Sequence, residues 1–529
     1  MWYLGIVVLA TIMLYYELYI SGAVSPNIIA GFGMTFKYYV YISVVSNAVG
    51  AFGSLLAGLS DRWGRANLVA YGLVITALLA LFGIPNAHDK WTFAILTVII
   101  GLVEGVILVA TPALIRDFSP QLGRASAMGF WTLGPVVGSL VVAVVSSNTV
   151  NHLGAWQDQY IIVGVVGIVV AIIALFGLRE LSPQLRDQLM VSIRDRALIE
   201  ARARGLNVED QLRRPWRQMM HWDIIGSAFA ISVFLLIYYT AVGFFVIYFE
   251  TLHGFSLSTA NSIGDWFWAF DAGVLILVGI VSDRVKVRKP FMLIGGIGAI
   301  VMMIIFLSLG AKTSYATFAV VISILAAFLA IAYGPWMASF TETVEKRNPA
   351  LTATGLAVWG WIIRAVIAIS VLILPSVVGS MTPLVTYGTQ VSTLSAKYAP
   401  ELATLSAIDP ATQAAIQANP ANTAALTTAV GEIAKKFSVT PAQATTQLTA
   451  LASVPKADLL YLSEHGTAVA TAAAAAPGQW RNWWWVCVGG QVLFIPFILV
   501  MTGRWSPRKA REDAEEHDRL IQSELAALD

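Results

Sequence analysis

Apolar residues in this chain come in repeated blocks of about twenty, and this pattern limits the fold more than any other feature. A helix of about twenty residues crosses the hydrocarbon core of a bilayer, whereas soluble cores show shorter apolar runs broken by polar faces. The chain is 57% hydrophobic and 12% charged, with a mean hydropathy of +0.72. Average soluble chains carry about twice that charged fraction. We therefore predict an all-α membrane protein.

About twelve blocks are predicted to span the membrane, in two sets of six. The first set covers 2–22, 38–59, 66–86, 92–115, 124–146 and 160–178. The second set covers 223–249, 260–281, 291–310, 314–338, 352–379 and 483–503. This pattern predicts two six-helix bundles, and the segments are 1–178, a central linker 179–222, 223–379, an insertion 380–481, a last helix 482–504 and a tail 505–529.

Lysine and arginine concentrate in alternate loops, which by the positive-inside rule face the cytoplasm. Both termini and the linker 179–222 are then cytoplasmic, and the chain lies in an inner or plasma membrane. The insertion 380–481, between the eleventh and twelfth spans, falls outside and is a candidate to contact another envelope component. Asp409-Pro410 and the capping box Thr440 to Gln443 predict short helices within it.

Several classes of function are excluded by composition and motifs. The net charge of +2 gives no reason to expect nucleic acid as a partner. The single cysteine and six scattered histidines predict no metal site, and no cofactor is expected. No Gly-rich phosphate loop ending in Gly-Lys-Ser/Thr occurs, so the sequence does not predict ATP-driven transport. We expect that the protein is not an enzyme.

The loop after the second predicted span reads Gly58-Leu59-Ser60-Asp61-Arg62-Trp63-Gly64-Arg65, preceded by Ala57. It resembles the signature loop of the major facilitator superfamily, Gly-x-Leu-Ala-Asp-Arg-x-Gly-Arg. A degenerate copy follows the eighth span as Gly279-Ile280-Val281-Ser282-Asp283-Arg284, with Lys286 where the second glycine would stand. Equivalent loops in two halves are typical of the internal repeat of facilitator folds. The resemblance covers the chain except 380–481 and implies a secondary transporter.

The resemblance also implies a gate formed by these loops. Asp61 is expected to face the positive end of the eleventh span, and Arg62 or Arg65 to pair with Asp117 at the end of the fourth span. Such contacts would hold the halves together on the inner side and break when the protein opens inward. The alternative is a plain topology signal, which requires neither the aspartate nor the glycine.

The fifth span carries Gly134, Pro135 and Gly138, a pattern similar to the Gly-Pro motif of facilitator antiporters. Glycines four apart let two helices approach closely. Ser139 replaces the glycine that usually ends the motif, so the pattern gives only modest support to antiport.

Ionisable residues inside predicted spans are the most informative chemistry, because each is costly in lipid unless paired or hydrated. They are Glu17, Glu104, Asp265, Asp271 and Arg364. The resemblance places Glu17 and Glu104 on helices that line the central cavity, with Tyr16 and Tyr19 beside Glu17. Asp271 and Arg364 are either cavity groups or a buried structural pair.

The sequence therefore predicts an alternating-access transporter of a small solute, coupled to protons. Carboxylates and aromatic residues favour export of amphipathic or cationic drug-like compounds or metabolites. The first alternative is proton-coupled uptake of a small metabolite such as an organic acid or sugar, with Arg364 binding the anion. A second alternative is a membrane receptor or assembly protein that binds its partner through 380–481.

Overall fold

In a computed structural model, the structure describes residues 2–55, 64–118, 124–179, 215–347 and 352–526, and every regular element in those ranges is helical. The elements before residue 180 are α1 Trp2–Ala23, α2 Ser25–Gly31, α3 Phe36–Leu55, α4 Arg65–Leu78, α5 Lys90–Phe118, α6 Arg124–Thr149 and α7 Trp156–Gly177. Those from 215 to 379 are α8 Pro215–Met219, α9 Trp222–Phe234, α10 Leu236–His253, α11 Leu257–Val285, α12 Lys289–Ser308, α13 Tyr315–Arg347 and α14 Thr352–Val377. The remainder are α15 Met381–Lys397, α16 Ala399–Ala407, α17 Pro410–Ala418, α18 Thr423–Phe437, α19 Pro441–Ala452, α20 Lys456–Val500 and α21 Pro507–Ala526.

Ten helical segments in the described ranges are long and apolar enough to cross a membrane, and the bent pair α2–α3, with a 114° bend, would make eleven. The predicted span 124–146 lies on α6, a helix of 26 residues whose side chains are described from Leu133 to Thr149. The all-α membrane architecture predicted from the sequence is confirmed. Within the residues that the structure describes, ten to eleven apolar spans are found.

Two predicted spans are interrupted. The span predicted at 223–249 is broken at Leu235, which has φ −85° and ψ 10° and separates α9 from α10. The span predicted at 66–86 is α4 followed by a π-helical turn, Leu79–Gly83, and a 3₁₀ turn that contains Pro85. Proline fixes φ and lacks an N–H, so the regular α-helix ends before it.

Among the described residues, helices of the two predicted halves pack against each other in four pairs: α6 with α11, α3 with α14, α1 with α10, and α2 with α10. Glycine permits the closest of these approaches, because a Cβ at Gly22 of α1 would collide with the carbonyl oxygen of Val242 on α10. These pairs bring residues that are more than a hundred positions apart in the sequence to the middle of the helical assembly.

Residues Ser380–Ala476 form a compact unit of their own. Its core contains Ile408, Ala429, Ile433, Ala444 and Leu451. The two predicted helix starts in this unit are confirmed. Asp409 caps α17 by accepting the N–H of Ala411 at 2.9 Å, and Thr440 and Gln443 form the capping box of α19.

The last predicted span, 483–503, is part of a longer helix. α20 runs for 45 residues from Lys456 to Val500 without a break, and Pro477 lies inside it. The alanine run 472–476 explains the continuity, because alanine has the highest helix propensity. The tail forms α21, where Arg508 pairs with Glu512 at 3.0 Å, and Arg504, just before the tail, pairs with Asp513 at 2.6 Å.

Candidate substrate cavity and gating contacts

A pocket opens between α1, α3, α5 and α14. It has about 430 Å³ of empty space, part of it continuous with solvent. Two charged residues line it, Glu104 from α5 and Arg364 from α14. The remaining lining residues are small or apolar, apart from one serine and one asparagine: Leu14, Leu18, Ser46, Asn47, Gly50, Ala51, Gly101, Gly105 and Leu108.

Small residues create this pocket by letting α3 and α5 approach closely. A Cβ at Gly105 would collide with the carbonyl oxygen of Gly50, and one at Gly101 would collide with the Ser46 hydroxyl. Ser46 in turn donates to the carbonyl oxygen of Thr97 at 3.1 Å. Sequence reasoning missed this group of residues, although two glycines four apart, at 101 and 105, are the usual signal of close helix packing.

Glu104 is the carboxyl group of the pocket. Its residue is 3% exposed, and neither carboxyl oxygen has a hydrogen-bond partner among the described residues. Tyr15 of α1 lies close enough to interact electrostatically with both Glu104 and Arg364. An acidic and a basic group therefore share one small cavity with nearby phenol groups.

Glu17 lies on another face of α1 and is absent from the pocket lining. It packs against α7 and α4, since a Cβ at Gly167 would lie 2.6 Å from Glu17 Oε1 and 2.8 Å from the Ala77 Cβ. Neither carboxyl oxygen makes a hydrogen bond of normal geometry within the described part of the chain, and the Thr76 side chain of α4 is the polar group nearby. Beside Glu17, the buried Tyr16 hydroxyl is likewise without a partner there, and Tyr19 packs on Tyr15 with ring centroids 5.4 Å apart.

Asp271 of α11 is 1% exposed and accepts a short hydrogen bond from the Tyr238 hydroxyl of α10 through Oδ1. Its Oδ2 is buried and has no hydrogen-bond partner in the described structure. The sequence left open a buried pair with Arg364. The partner that the structure shows for Asp271 is Tyr238, and Arg364 lies in the pocket beside Glu104.

The Gly-Pro motif of α6 faces α1. A Cβ at Gly134 would lie 2.5 Å from Thr11 Cγ2, and one at Gly138 would lie 2.5 Å from Tyr15 Cβ. Pro135 lies inside the helix between these glycines. The close helix approach predicted from the glycine spacing is present, and it places Gly138 of the motif against the Tyr15 side chain.

The two signature loops share one backbone feature. Gly64 precedes α4 with φ 88°, and Lys286 follows α11 with φ 56°, so both occupy the left-handed region. Glycine adopts this region without steric cost and lysine does not. Asp61 and Arg62 lie outside the described residues. Asp117 is described only as part of α5, and Arg65 as the first residue of α4.

The second loop forms an ion-pair network with the end of α13. Arg288 contacts Asp283 Oδ1 at 2.6 Å and Glu342 Oε1 at 3.2 Å, and it donates to the Ser282 hydroxyl. Arg284, which the sequence analysis selected, is exposed. Sequence reasoning missed Arg288 because Val287 occupies the place of the second arginine of the family pattern, and Arg288 follows it by one position.

A row of hydrogen bonds joins the end of α6 and α1 to the start of α11. Ser147 donates to Asp265 Oδ2 at 2.9 Å, Ser258 donates to the Ser147 carbonyl at 2.5 Å, and Asn261 donates to the Ala23 carbonyl at 2.9 Å. We call these residues the α6–α11 seam. Serine and asparagine give no distinctive sequence signal, so the seam was not predicted. No group of metal-ligating residues occurs in the described ranges.

Known proteins resemble this chain in sequence and in fold. The sequence profile described as Major Facilitator Superfamily matches residues 7–371. A probable chloroplastic anion transporter 3 of Oryza sativa subsp. japonica is 25% identical over 235 residues, 43% of this chain and 44% of the relative. A putative glycerol-3-phosphate transporter 1 of Arabidopsis thaliana is 25% identical over 269 residues, 47% of this chain and 51% of the relative. The chain thus spans about half the length of these relatives.

The fold is similar to a solved structure over nearly its whole length. That structure is a bacterial homologue of the human lysosomal transporter Spinster in an inward-facing, occupied conformation. The TM-score is 0.55 at 16% identity, and the match covers 94% of this chain and 95% of the other.

Proposed function

Because this chain belongs to the Major Facilitator Superfamily, a family of transporters of small solutes, we propose that it carries small organic anions by alternating access, coupled to protons. The observation that carries the proposal is the position of Arg364, a guanidinium that lines the pocket opposite Glu104. Similarity to an anion transporter and a glycerol-3-phosphate transporter supports the same class of solute.

Arg364 suits an anion for chemical reasons. A guanidinium remains charged and offers several N–H donors in a planar fork that matches carboxylate and phosphate oxygens. Charged residues at membrane depth are rare and are usually functional. Asn47 and Ser46 add neutral hydrogen-bonding groups to the same lining.

Glu104 supplies the proton coupling. Its carboxylate would compete with the solute for the positive charge of Arg364, since Glu104 and Arg364 line the same pocket. Protonation removes this competitor, so proton binding favours anion binding and anion binding favours protonation. This mutual stabilisation is the requirement for transporting the two in the same direction.

Glu17 acts indirectly in this scheme. It is buried away from the pocket lining but interacts electrostatically with Glu104. Two buried carboxylates that repel each other do not ionise together easily. Glu17 therefore influences the proton occupancy of Glu104 without contacting the solute.

Export of amphipathic cations is the second candidate function. The observation that favours it is that both Glu104 oxygens lack hydrogen-bond partners among the described residues, so they are available to a cationic solute. In that case proton and solute would compete for Glu104 and move in opposite directions. The sign of the proton coupling separates the two candidates.

The proposal includes the orientation of the chain in the membrane. The distribution of lysine and arginine supports an inner or plasma membrane location with cytoplasmic termini and with 380–481 outside, where it is available to an envelope component. In that orientation the α6–α11 seam lies on the outer side, so the halves are joined there by hydrogen bonds. The pocket would then be loaded or emptied from the inner side in this conformation.

The test is solute flux in proteoliposomes with a panel of inorganic phosphate, glycerol 3-phosphate, lactate, N-acetylneuraminate and tetraphenylphosphonium. We expect accumulation of at least one anion when the source side is acidic. Arg364→Gln should abolish anion exchange, and Glu104→Gln should retain exchange but lose pH-driven accumulation.

Two exposed residues provide matched controls, Arg481→Gln and Glu516→Gln, and both should behave as wild type. Accumulation of tetraphenylphosphonium against an opposite pH gradient, with no anion transported, would establish the second candidate. Flux of no panel member above protein-free vesicles would contradict transport of these solute classes.

A further inference from the structure

Asp271 and Tyr238 form a polar pair in the second half of the chain that anion binding at Arg364 and Glu104 does not use. Asp271 lies on α11 and Tyr238 on α10, and the phenol donates to Asp271 Oδ1. We propose that Asp271 is a second proton-carrying group of the transport cycle and that Tyr238 is its positioning residue and proton path. This inference rests on the proposed proton-coupled function.

Burial argues that Asp271 does not remain ionised permanently. The residue is 1% exposed, and its Oδ2 has no partner in the described structure. One hydrogen bond from a neutral phenol is poor compensation for a buried negative charge. A carboxyl group in this state is expected to exchange between protonated and ionised forms as its access to water changes.

The described residues around Asp271 include no cation that would hold it ionised. α11 packs against α6, α10 and α13. The titratable groups that face Asp271 are Tyr238 from α10 and Tyr333 from α13. The part of α6 whose side chains the structure describes, 133–149, contains no titratable residue. The protonation state of Asp271 therefore depends on the supply of protons and is not fixed by an ion pair.

Tyr238 is held in a defined position. Its ring stacks on Trp268 with centroids 5.5 Å apart and an interplanar angle of 19°, and it meets Phe267 edge-on at 5.6 Å. Contacts on two sides fix the ring and thereby the hydroxyl. Tyr238 as a residue is less buried than Asp271, and its hydroxyl is the group that the structure places on Asp271.

Proton transfer through this pair requires no other reactant. Asp271 takes the hydroxyl proton of Tyr238 as the phenol oxygen accepts a proton from a hydronium ion on the accessible side, which leaves a water molecule. The O–H bond that breaks is replaced by one that forms on the same oxygen, and Tyr238 ends neutral. The reverse sequence releases the proton.

Infrared difference spectroscopy of the purified full-length protein, titrated over pH, tests the proposal without a solute. The probe is the C=O stretch of protonated carboxyl groups. We expect a band that titrates, is missing in Asp271→Asn, and changes frequency in Tyr238→Phe, because the protonated carboxyl group then loses its hydrogen bond with the phenol. Tyr239→Phe is the matched control, since the neighbouring hydroxyl has no partner among the described residues, and it should leave the band unchanged.

Transport stoichiometry is the second measurement, made on wild type with the panel anion of highest flux and with valinomycin and equal potassium clamping the voltage at zero. Two protons per anion predict a balancing solute gradient of about a hundredfold per pH unit, against about tenfold for one proton. Asp271→Asn should reduce the ratio to one.

An absent or non-titrating Asp271 band, or one unmoved by Tyr238→Phe, overturns the proposal. A wild-type ratio of one proton per anion, with the coupling lost in Glu104→Gln, also overturns the proposal. The proposed function would then still stand. Failure of every anion to exchange would instead contradict the proposed function, and the infrared result would still decide whether Asp271 titrates.

Discussion

Arg288 donates from Nε to Glu342 Oε1 across 3.2 Å, which joins the loop after α11 to the end of α13. The equivalent contact in the first half would join Arg62 or Arg65 to Asp117. That side-chain contact lies outside the part of the chain whose side chains are described. The second half therefore supports by analogy the ion pair that the sequence predicts for the first.

Removing Arg288 should destabilise the protein. Its side chain is 14% exposed and binds two carboxylates, and hydrogen bonds to charged groups contribute about 1.5–3 kcal/mol each when partly buried. We expect Arg288→Ala to lower the thermal unfolding temperature in detergent. A double-mutant cycle with Glu342→Gln should give a coupling energy of about 1 kcal/mol. Arg284→Ala, an exposed arginine in the same loop, is the control. An equal effect of both substitutions would contradict a specific role of Arg288.

Both Lys286 and Gly64 have positive φ, which glycine adopts more easily than other residues. Introducing glycine at 286 should therefore raise stability, and removing glycine at 64 should lower it. Lys286→Gly removes a Cβ from the left-handed region and should stabilise by about 0.5–1 kcal/mol. Gly64→Ala should destabilise by more than that, since φ 88° with ψ 133° suits only glycine. Thermal unfolding measures both, and Lys286→Ala is the control for loss of the lysine side chain. Equal stability of Lys286→Gly and Lys286→Ala would show that the backbone conformation is not strained.

Weakening the α6–α11 seam should favour its opening. Ser147→Ala removes the hydroxyl that donates a hydrogen bond to Asp265. The lost hydrogen bond is worth about 1 kcal/mol, which raises the population with an open seam about fivefold. The readout is the labelling rate of a cysteine at Ala143, which packs against Gly264, in a Cys487→Ala background. Ser308→Ala, whose hydroxyl bonds to its own helix at Ile305, is the control. An unchanged labelling rate in Ser147→Ala would mean that the seam does not limit opening.

Removing the α19 capping box should loosen the start of that helix. Thr440→Ala loses the hydroxyl that Gln443 N–H donates to, and such caps contribute about 1 kcal/mol. Amide hydrogen exchange in the full chain should accelerate by about fivefold over 442–446. Thr445→Ala, exposed on the same helix, should exchange at the wild-type rate. Acceleration spread over all of 380–476 would instead indicate that the cap stabilises the whole unit.

Topology can be measured by labelling from one side of the membrane. Single cysteines at Ala415 and Ala203, in a protein lacking Cys487, should react with an impermeant reagent from opposite sides. This expectation follows from the alternation of cationic loops. Reaction of both from one side would contradict the predicted placement of 380–481.

Much of the architecture is determined locally by sequence. Apolar blocks require helices in lipid because backbone polar groups have no other partners there, and residues such as Asp409 and Thr440 begin helices through hydrogen bonds with neighbours in sequence. The positions of Gly134 and Gly138 likewise predicted a close helix contact, since glycine spacing alone creates the groove.

Tertiary structure alone decided which ionisable groups meet. A helix that is apolar on all sides has no polar face to reveal its orientation, so the sequence could not place Glu104 in the pocket lining and leave Glu17 out of it. The partner of Asp271 is Tyr238, on a different helix, and Ser147 meets Asp265 across 118 positions. Such contacts depend on the rotation and close packing of whole helices. Small residues permit this packing but do not determine which side chains meet.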